Sequence, residues 1–197
     1  MDIRRVGRDS VLVAVPDAAT ALAVFEECRR RGTDVADVVP AAETVLFDGV
    51  RDLEALVHDL PSWDLRPASR TGELVEVPTT YDGGDLDDVA ALWETTTDEV
   101  VATHTGTEFV VAFCGFAPGF PYCTGLPDRL AVPRLDSPRA KVPAGAVGLA
   151  GPFTGIYPST SPGGWRLIGR TDLRLWEPDR DPPATLVPGT RVRFVVA

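Results

Sequence analysis

The residues best suited to chemistry lie between His104 and Thr171 of this 197-residue chain. A histidine side chain titrates near neutral pH, which suits it to proton transfer. His104 stands between a predicted helix and a predicted strand, and it is the strongest candidate for a catalytic residue. A histidine that ends a helix and interacts with the helix dipole is the alternative.

Five arginines and one lysine fall between residues 129 and 170, where the only acid is Asp136, although the whole chain has a net charge of −10. An arginine side chain presents a planar fork of donors that suits a carboxylate or a phosphate. The pattern therefore predicts an anion-binding cleft, and the alternative is a set of solvated surface charges. The arginines are Arg129, Arg134, Arg139, Arg166 and Arg170.

Glycine and proline are concentrated in the same stretch, with ten glycines and nine prolines from residue 115 to residue 169. Such a density is typical of disordered chains, but large apolar side chains in the stretch can offset the entropy of ordering. We therefore expect turn-rich β-structure with loops of fixed shape, where binding sites usually lie. The large side chains are Phe116, Phe120, Tyr122, Phe153, Tyr157 and Trp165.

Two of these loops are candidate binding surfaces. Phe116 and Phe120 flank residues 117–119 and form either the wall of an apolar pocket or ordinary packing. The loop at 161–165, SPGGW, could bind an anion through its backbone N–H groups. A tight turn before a strand is the simpler interpretation of that loop.

Several classes of function do not fit the sequence. It contains no GxSxG, P-loop, HExxH or GxGxxG motif, and with two histidines we expect no His-rich metal site. An isoelectric point near 4.6 argues against nucleic acid as a partner. No apolar run approaches the roughly 20 residues of a membrane span, and the N-terminus does not resemble a secretory signal.

The three cysteines predict free thiols in a reducing compartment, and hence a cytoplasmic protein, because their number is odd and their spacing is not that of a metal site. Cys28 falls on the apolar face of a predicted helix. Cys114 and Cys123 flank the GFAPGFPY segment, where a buried structural cysteine is a more common case than a catalytic thiol.

The first 72 residues predict a small α/β domain. Strands are expected at 10–15, 35–40 and 44–47. One helix is expected to be capped by Asp17 and to run to Arg31, with Gly32 as the stop, and another is expected over 51–60. The order β-α-β-β-α is typical of a split-βαβ sandwich with its helices on one face of the sheet. The end of the first helix is expected to be solvated, with Arg29, Arg30 and Arg31 exposed. Residues 62–72 are expected to form a linker or a crossing strand, with a domain boundary near residue 72.

Residues 73–197 predict a β-barrel or β-sandwich. After a strand at 73–77, Asp85 should cap a short helix with Asp88 in the capping-box position, and Thr97 should cap a second helix. The seven acids from Asp82 to Glu99 are interpreted as helix-start and surface charges. Beyond residue 108, short strand-like runs separated by glycine or proline are typical of a closed or two-layered β-structure.

Long phrases of the chain closely resemble the family that comprises KipI, allophanate hydrolase subunit 1 and the B subunit of 5-oxoprolinase. The central phrases are long and unusual, and similar segments extend over most of the chain. They are GFAPGFPYCTGLP (115–127), VPRLDSPRAKVPAG (132–145) and GIYPSTSPGGWRLIGRT (155–171), together with VPTTYDGGDLDDVA (77–90), VVATHT (100–105), IRRVGRDSVLVAV and VVPAAETVL.

The resemblance implies an α+β fold, with a small N-terminal α/β sandwich (1–72) followed by a cyclophilin-like β-barrel (73–197). It implies a component of an ATP-dependent 5-oxoprolinase, which opens 5-oxo-L-proline to L-glutamate, acting with the C subunit (a homologue of allophanate hydrolase subunit 2) and a third subunit. ATP would be used by the complex and not bound by this chain alone. The pair formed with the C subunit is similar to the carboxyltransferase-type half of urea carboxylase.

Matched to the family pattern, His104 is the expected catalytic residue, and the carboxylate of the small-molecule substrate is expected on Arg134 or Arg139. The other expected substrate-binding residues are Phe116, Pro118, Gly119, Phe120, Gly163, Gly164, Trp165 and Arg170. The chain departs from the pattern at Ala146, where the family commonly has serine, so a hydroxyl contact to substrate is missing. Cys123 and Phe109 also replace the usual residues, and the 82–88 loop is shortened.

Two other functions are compatible with the resemblance. One branch of the family inhibits a sporulation histidine kinase, which would make the chain a regulatory binding protein. A carboxyltransferase-type role in urea or allophanate metabolism would need biotin on another chain, because this one has a single lysine, Lys141, and no biotinylation phrase.

Overall fold

The structure is a computed structural model that describes residues 1–65 and 72–197. The chain divides into two compact units, Met1–Arg70 and Thr71–Ala197. The predicted boundary near residue 72 adjoins residues 66–71, and these lie outside the described residues. A short 3₁₀ turn, Leu60–Ser62, ends where the predicted linker begins.

The first unit is an antiparallel sheet with helices on one face. The chain order is β1 (Asp2–Val6), β2 (Ser10–Ala14), α1 (Ala18–Arg31), β3 (Asp37–Pro40), β4 (Thr44–Asp48) and α2 (Leu53–Asp59), and the order in the sheet is β1-β2-β4-β3. Since β4 lies between β2 and β3, the β2-α1-β3 unit is split, as predicted. Strand β1 was not predicted, because DIRRV has little apolar alternation.

Apolar side chains from both strands and helices form the core of this unit. Val11, Val13 and Phe47 on the sheet are fully buried with Val24 of α1 and Leu60. Burial of each such side chain stabilises the fold by about 1.5–3 kcal/mol. Helix α1 begins where Asp17 accepts a hydrogen bond from the Thr20 N–H and ends at Gly32, whose φ is 62°.

The three arginines at the end of α1 are exposed, as predicted, and two of them also pair with an acid of the same helix. Arg30 and Arg31 both donate to the carboxylate of Glu27, which is only 6% exposed, and their hydrogen bonds lower the pKa of Glu27 to about 2. The guanidinium carbon of Arg31 also lies 5.2 Å from the centre of the Trp63 ring. The end of the helix is therefore held by ion pairing and by stacking.

The second unit is a seven-stranded, barrel-like sheet with two helices. Its elements are β5 (Leu74–Thr79), α3 (Leu86–Leu92), α4 (Thr97–Gly106), β6 (Phe109–Cys114), β7 (Pro121–Thr124), β8 (Arg139–Val142), β9 (Ala146–Ala150), β10 (Phe153–Ile156), β11 (Ser161–Gly163), β12 (Arg166–Arg170) and β13 (Arg191–Val196). The large sheet has the order β12-β9-β10-β7-β6-β13-β5, and β8 pairs with β11 in a separate two-stranded sheet. The predicted fold class, a small α/β sandwich followed by a β-barrel, is confirmed.

The barrel closes between its two edge strands. Thr80, directly after β5, exchanges both backbone hydrogen bonds with Arg170 of β12, at 2.8 and 2.9 Å. Two glycines allow this approach: a Cβ atom at Gly169 would lie 2.5 Å from the Thr80 carbonyl oxygen, and one at Gly83 would lie 2.3 Å from the Ile168 carbonyl carbon. The closed sheet surrounds a core that includes Phe109, Ile156 and Phe194.

Helix α4 begins one residue earlier than predicted, because Thr96 and not Thr97 is its N-cap. The Thr96 hydroxyl and the Glu99 carboxylate form a complete capping box. Asp85 precedes α3, as predicted, but its side chain makes no capping hydrogen bond. In the described parts of the chain, none of the helices has the length and hydropathy that a membrane span requires.

Candidate functional site: an aromatic cleft beside Arg134

A cluster of aromatic rings lies at one side of the second unit, built from β7, the end of β10 and the 161–165 loop. Phe120, Tyr157 and Trp165 are almost fully buried in it. The Phe120 ring centre is 5.0 Å from that of Tyr157 and 5.2 Å from that of Trp165, in edge-to-face geometry. Tyr122, half-buried, lies 5.3 Å from Trp165. Such mutual packing gives the cluster a fixed shape.

The predicted 161–165 loop packs directly on this cluster. A Cβ atom at Gly163 would lie 2.3 Å from the Tyr157 hydroxyl oxygen, so glycine is required for the loop to approach the ring. Gly163 belongs to β11, so the loop is in part a strand. Both interpretations of SPGGW, as a turn and as a site component, are compatible with this position.

Two consecutive tight turns form the 115–120 segment. The Ala117 N–H donates to the Gly115 carbonyl at 2.8 Å, which makes a γ-turn centred on Phe116, whose φ is 69°. The Phe120 N–H donates to the Ala117 carbonyl at 3.0 Å, with Pro118 and Gly119 (φ 77°) at the central positions of a type II turn. A γ-turn of this hand is rare and strained, and positive φ values cost a bulky residue about 1–3 kcal/mol. The side chain of Phe116 is 64% exposed.

Arg134 lies in a loop whose backbone is fixed on both sides. The Leu135 N–H donates to the Gly164 carbonyl at 2.8 Å, and Nε of Arg166 donates to the Pro133 carbonyl at 3.3 Å. The side chain of Arg134 is exposed and forms no salt bridge with any residue that the structure describes. Its guanidinium is therefore available to an anion.

The charge of Arg134 acts on the two tyrosines of the cluster. Burial raises the pKa of Tyr122, and the positive charge of Arg134 opposes that rise. Burial also raises the pKa of Tyr157, while a backbone hydrogen bond from Trp165 and the charge of Arg134 lower it by a smaller amount. Both phenols are therefore neutral hydroxyl groups at neutral pH, and both lie within the electrostatic range of Arg134.

Three of the other arginines are paired with acids, and the local excess of positive charge is smaller than the sequence suggests. Arg139 lies 2.5 Å from the buried carboxylate of Asp85, Arg166 lies 2.7 Å from Asp88, and Arg170 lies 2.9 Å from Asp82. The interpretation of these acids as helix-start and surface charges is wrong for the buried Asp85, whereas Asp82 and Asp88 are exposed, as predicted, and Asp88 lies in the first turn of α3. An acid run at 82–88 followed by an arginine run at 129–170 was the signal that could have predicted the pairing.

Asp85 is the central acid of this set. One carboxylate oxygen accepts from Arg139, and the other accepts from the Leu167 N–H at 2.6 Å. Arg139 also reaches the Trp165 carbonyl at 3.3 Å and its charge acts on Tyr157, so it borders the aromatic cleft while its guanidinium is engaged. Of the two predicted carboxylate ligands, Arg134 is the one whose guanidinium has no acidic partner among the residues that the structure describes.

His104 lies in the barrel core and not at the cleft. Its side chain is fully buried, with ring centres of Phe194 at 4.3 Å and Phe109 at 5.0 Å. Nδ1 is 2.7 Å from the Tyr81 hydroxyl and Nε2 is 3.0 Å from the Thr154 hydroxyl. Burial lowers the pKa of His104 to about 3.

The hydrogen bonds of His104 define one direction of donation. The Thr154 hydroxyl donates to the Gly148 carbonyl at 3.3 Å, so Nε2–H donates to Thr154 and Nδ1 accepts from Tyr81. A neutral imidazole with both nitrogens occupied and no exposed surface does not fit the predicted proton transfer. We correct that prediction and assign His104 to the barrel core. Arg170, at the barrel closure, is likewise not brought to the cleft.

The structure brings the remaining predicted site residues to one region and adds Tyr122 and Tyr157, which sequence reasoning had assigned only to packing. The predicted residues in this region are Phe116, Pro118, Gly119, Phe120, Arg134, Gly163, Gly164 and Trp165. The cysteines are not candidates: burial raises the pKa of Cys114 to about 11 and raises that of the fully buried Cys123 further.

Residues 1–186 match the family described as "Carboxyltransferase domain, subdomain C and D", and the chain belongs to that family. Among its relatives, a protein of Escherichia coli that is named as the B subunit of 5-oxoprolinase is 46% identical over 156 residues, which are 78% of this chain and 69% of that protein. A protein of the same name from Haemophilus influenzae is 36% identical over 208 residues, covering 100% and 98%. The predicted membership of the family of KipI, allophanate hydrolase subunit 1 and the 5-oxoprolinase B subunit is confirmed.

A solved structure has the same fold. The crystal structure of TTHA0988 aligns with a TM-score of 0.80 and 34% identity over 96% of this chain. The aligned part is 40% of the TTHA0988 chain, so the present chain spans about two-fifths of the length of that solved relative.

Proposed function

We propose that this chain is the B subunit of an ATP-dependent 5-oxoprolinase, which converts 5-oxo-L-proline to L-glutamate, and that the aromatic cleft beside Arg134 holds the substrate. The observation that supports the site most directly is the exposed guanidinium of Arg134, which has no acidic partner among the described residues and lies on a loop bonded to Gly164, next to Trp165 of the aromatic cluster. The names of two relatives, both B subunits of 5-oxoprolinase, support the activity.

The cleft matches the chemistry of a small cyclic amide with a carboxylate. Arg134 would bind the carboxylate through a pair of charge-assisted hydrogen bonds. The half-buried ring of Tyr122 would pack against the substrate ring, and its neutral hydroxyl could donate to the lactam oxygen, while the buried Tyr157 and Trp165 would support Tyr122 from behind. Arg139, held by Asp85 behind the loop, would keep the wall of the cleft in place.

Ring opening requires more than this chain offers. Water adds to the lactam carbonyl carbon, the C–N bond breaks, and the ring nitrogen leaves as an amine after taking up a proton. An amide is a poor electrophile, so coupling to the hydrolysis of ATP to ADP and phosphate is chemically sensible. Among the described residues that surround Arg134, the titratable groups Tyr122 and Tyr157 have raised pKa values and are not general bases.

The proposal therefore gives this chain the tasks of binding and orienting the substrate. The nucleotide and the proton-transfer groups would be supplied in the complex by the homologue of the C subunit and by a third oxoprolinase subunit. The three free cysteines are compatible with a reducing compartment such as the cytoplasm.

The test is ATP-dependent glutamate release by the co-expressed complex. We expect Arg134→Ala to raise KM for 5-oxo-L-proline by about 10–100-fold, because a charged hydrogen bond is lost. Arg129→Ala, another exposed arginine, is the matched control and should leave KM unchanged. An inactive wild-type complex would refute the activity, and an unchanged KM in Arg134→Ala would refute the site.

A carboxyltransferase function is the second candidate, because the matched family is described as a carboxyltransferase domain. In that case the cleft would hold a small-molecule acceptor, which would give up a proton to biotin and take the carboxyl group from carboxybiotin on a partner chain. One experiment distinguishes the two functions. Avidin added to the purified complex should abolish a biotin-dependent carboxyl transfer, and it should not affect ATP-dependent opening of 5-oxo-L-proline.

A further inference from the structure

An exposed apolar patch borders the aromatic cleft. It consists of Phe116, which is 64% exposed, Trp176, which is 38% exposed, and the exposed Pro118; we call it the Phe116 patch. The 115–120 segment lies directly against Trp176, since a Cβ atom at Gly119 would be 3.1 Å from the Trp176 Cβ atom. Two contacting segments of the chain thus expose three apolar side chains to solvent.

The patch has a fixed shape before any partner binds. The γ-turn at Phe116 and the type II turn at Pro118–Gly119 are both closed by backbone hydrogen bonds, at 2.8 and 3.0 Å. The φ of 69° at Phe116 is uncommon for a bulky residue and directs a phenyl ring into water. Strain of this kind is usually found at binding sites, where a rigid side chain can be buried at little further entropic cost.

The patch is continuous with the cleft. The rings of Phe116 and Phe120 meet edge to face with their centres 5.5 Å apart, and Phe120 forms part of the cleft's buried cluster. A polypeptide seated on Phe116 would therefore border the aromatic cluster through Phe120.

The relatives indicate what kind of polypeptide this is. The equivalent of this chain occupies 98% of the Haemophilus influenzae protein but 40% of TTHA0988. A unit that occurs both alone and within a longer chain is expected to bind the remainder when the two are separate. We infer that the Phe116 patch is the docking surface for the homologue of the part of TTHA0988 that this chain does not cover. The inference rests on the proposed function, which requires such a partner.

The experiment measures binding of that homologue, produced from the same genome, by isothermal titration calorimetry. Phe116→Gly removes the ring but suits a positive φ, so the turn is retained. We expect Phe116→Gly and Trp176→Ser each to weaken binding at least about ten-fold, as the loss of a buried aromatic anchor does. Val196→Ser is the matched control, because Val196 is 66% exposed on a different element, and it should bind as the wild type does.

The outcomes separate the docking surface from the activity. Equal affinity of the Phe116→Gly, Trp176→Ser and wild-type chains would overturn the surface, even if the complex still opens 5-oxo-L-proline. If the two variants bind more weakly but the wild-type complex does not open 5-oxo-L-proline, the docking surface is supported and the proposed function is refuted. If light scattering shows that the wild-type chain dimerises and that Phe116→Gly makes it monomeric, the occupant is a second copy and the inference is wrong.

Discussion

The hydroxyl of Tyr81 lies 2.7 Å from Nδ1 of His104 and donates the hydrogen bond that this buried nitrogen accepts. With the bond from His104 to Thr154, it connects the segment after β5, helix α4 and strand β10 across the interior of the barrel. A buried polar chain of this kind stabilises the fold only while every member has a partner.

Removal of the Tyr81 hydroxyl should therefore destabilise the second unit. We expect Tyr81→Phe to lower the free energy of unfolding by about 1–3 kcal/mol, because Nδ1 of His104 is left buried without a donor. Urea denaturation followed by tryptophan fluorescence measures the change. Tyr122→Phe is the control, since the Tyr122 hydroxyl has no hydrogen bond within the described chain; an equal loss in both variants would contradict the assignment.

The buried His104 should make stability depend on pH. Burial lowers the pKa of His104 from 6.5 to about 3, so between these values the unfolded chain binds a proton that the folded chain does not. Its contribution is fully present above pH 6.5 and is lost as the pH falls. We expect the free energy of unfolding to fall by about 1.4 kcal/mol per pH unit from roughly pH 6 to pH 4 on account of this group.

The measurement is a series of urea titrations from about pH 7 to pH 4 on the wild type, His104→Gln and His58→Asn, over the range in which the group titrates. His104→Gln should show a shallower dependence on pH than the wild type. The exposed His58 lies in the first unit, and His58→Asn should keep the wild-type slope. Identical slopes in the wild type and His104→Gln would show that His104 is not buried in the neutral form.

The closure of the barrel can be tested with two adjacent glycines. A Cβ atom at Gly83 would lie 2.3 Å from backbone of β12, whereas one at Gly84 would have no neighbour within 4 Å. Gly83→Ala should cost about 1–3 kcal/mol or more by forcing the edge strands apart, and Gly84→Ala should change stability by less than about 1 kcal/mol. Thermal unfolding of the two variants, which differ by one position, provides the comparison; equal melting temperatures would argue against the closure.

The buried ion pair at the cleft gives a further prediction. Asp85→Asn leaves an acceptor for the Leu167 N–H but removes the charge that pairs with Arg139. We expect a loss of about 1.5–3 kcal/mol in the free energy of unfolding, typical of a hydrogen bond to a charged group. The exposed neighbour Asp87, changed to Asn, is the control and should stay within about 0.5 kcal/mol of the wild type. A matching loss in both variants would refute the role of Asp85.

The elements that follow from local pattern were predictable, and those that depend on distant partners were not. The short runs separated by glycine or proline predicted the β-structure beyond residue 108, and Asp17 and Gly32 predicted the ends of α1. Strands β7 and β11 were missed because each includes a proline, which is unfavourable in a central strand.

The candidate site also depends on contacts between residues that are distant in the sequence. The helix that ends near His104 was predicted, but nothing local shows that its last turn enters the barrel to meet Thr154, 50 residues further on. Arg139 and Asp85 are 54 residues apart, and their pairing depends on the closure of the sheet. The composition predicted the fixed loops. Only the structure shows which arginine has no acidic partner among the described residues.

The strained backbone at Phe116 has a consequence for laboratory evolution. Glycine at position 116 would relieve the positive φ, so a selection for heat resistance alone should favour the loss of the phenylalanine. Variants chosen for robustness would then lose assembly before they lose folding. Screens of this protein should therefore select for activity of the reconstituted enzyme, since selection for thermal stability alone would favour glycine at position 116.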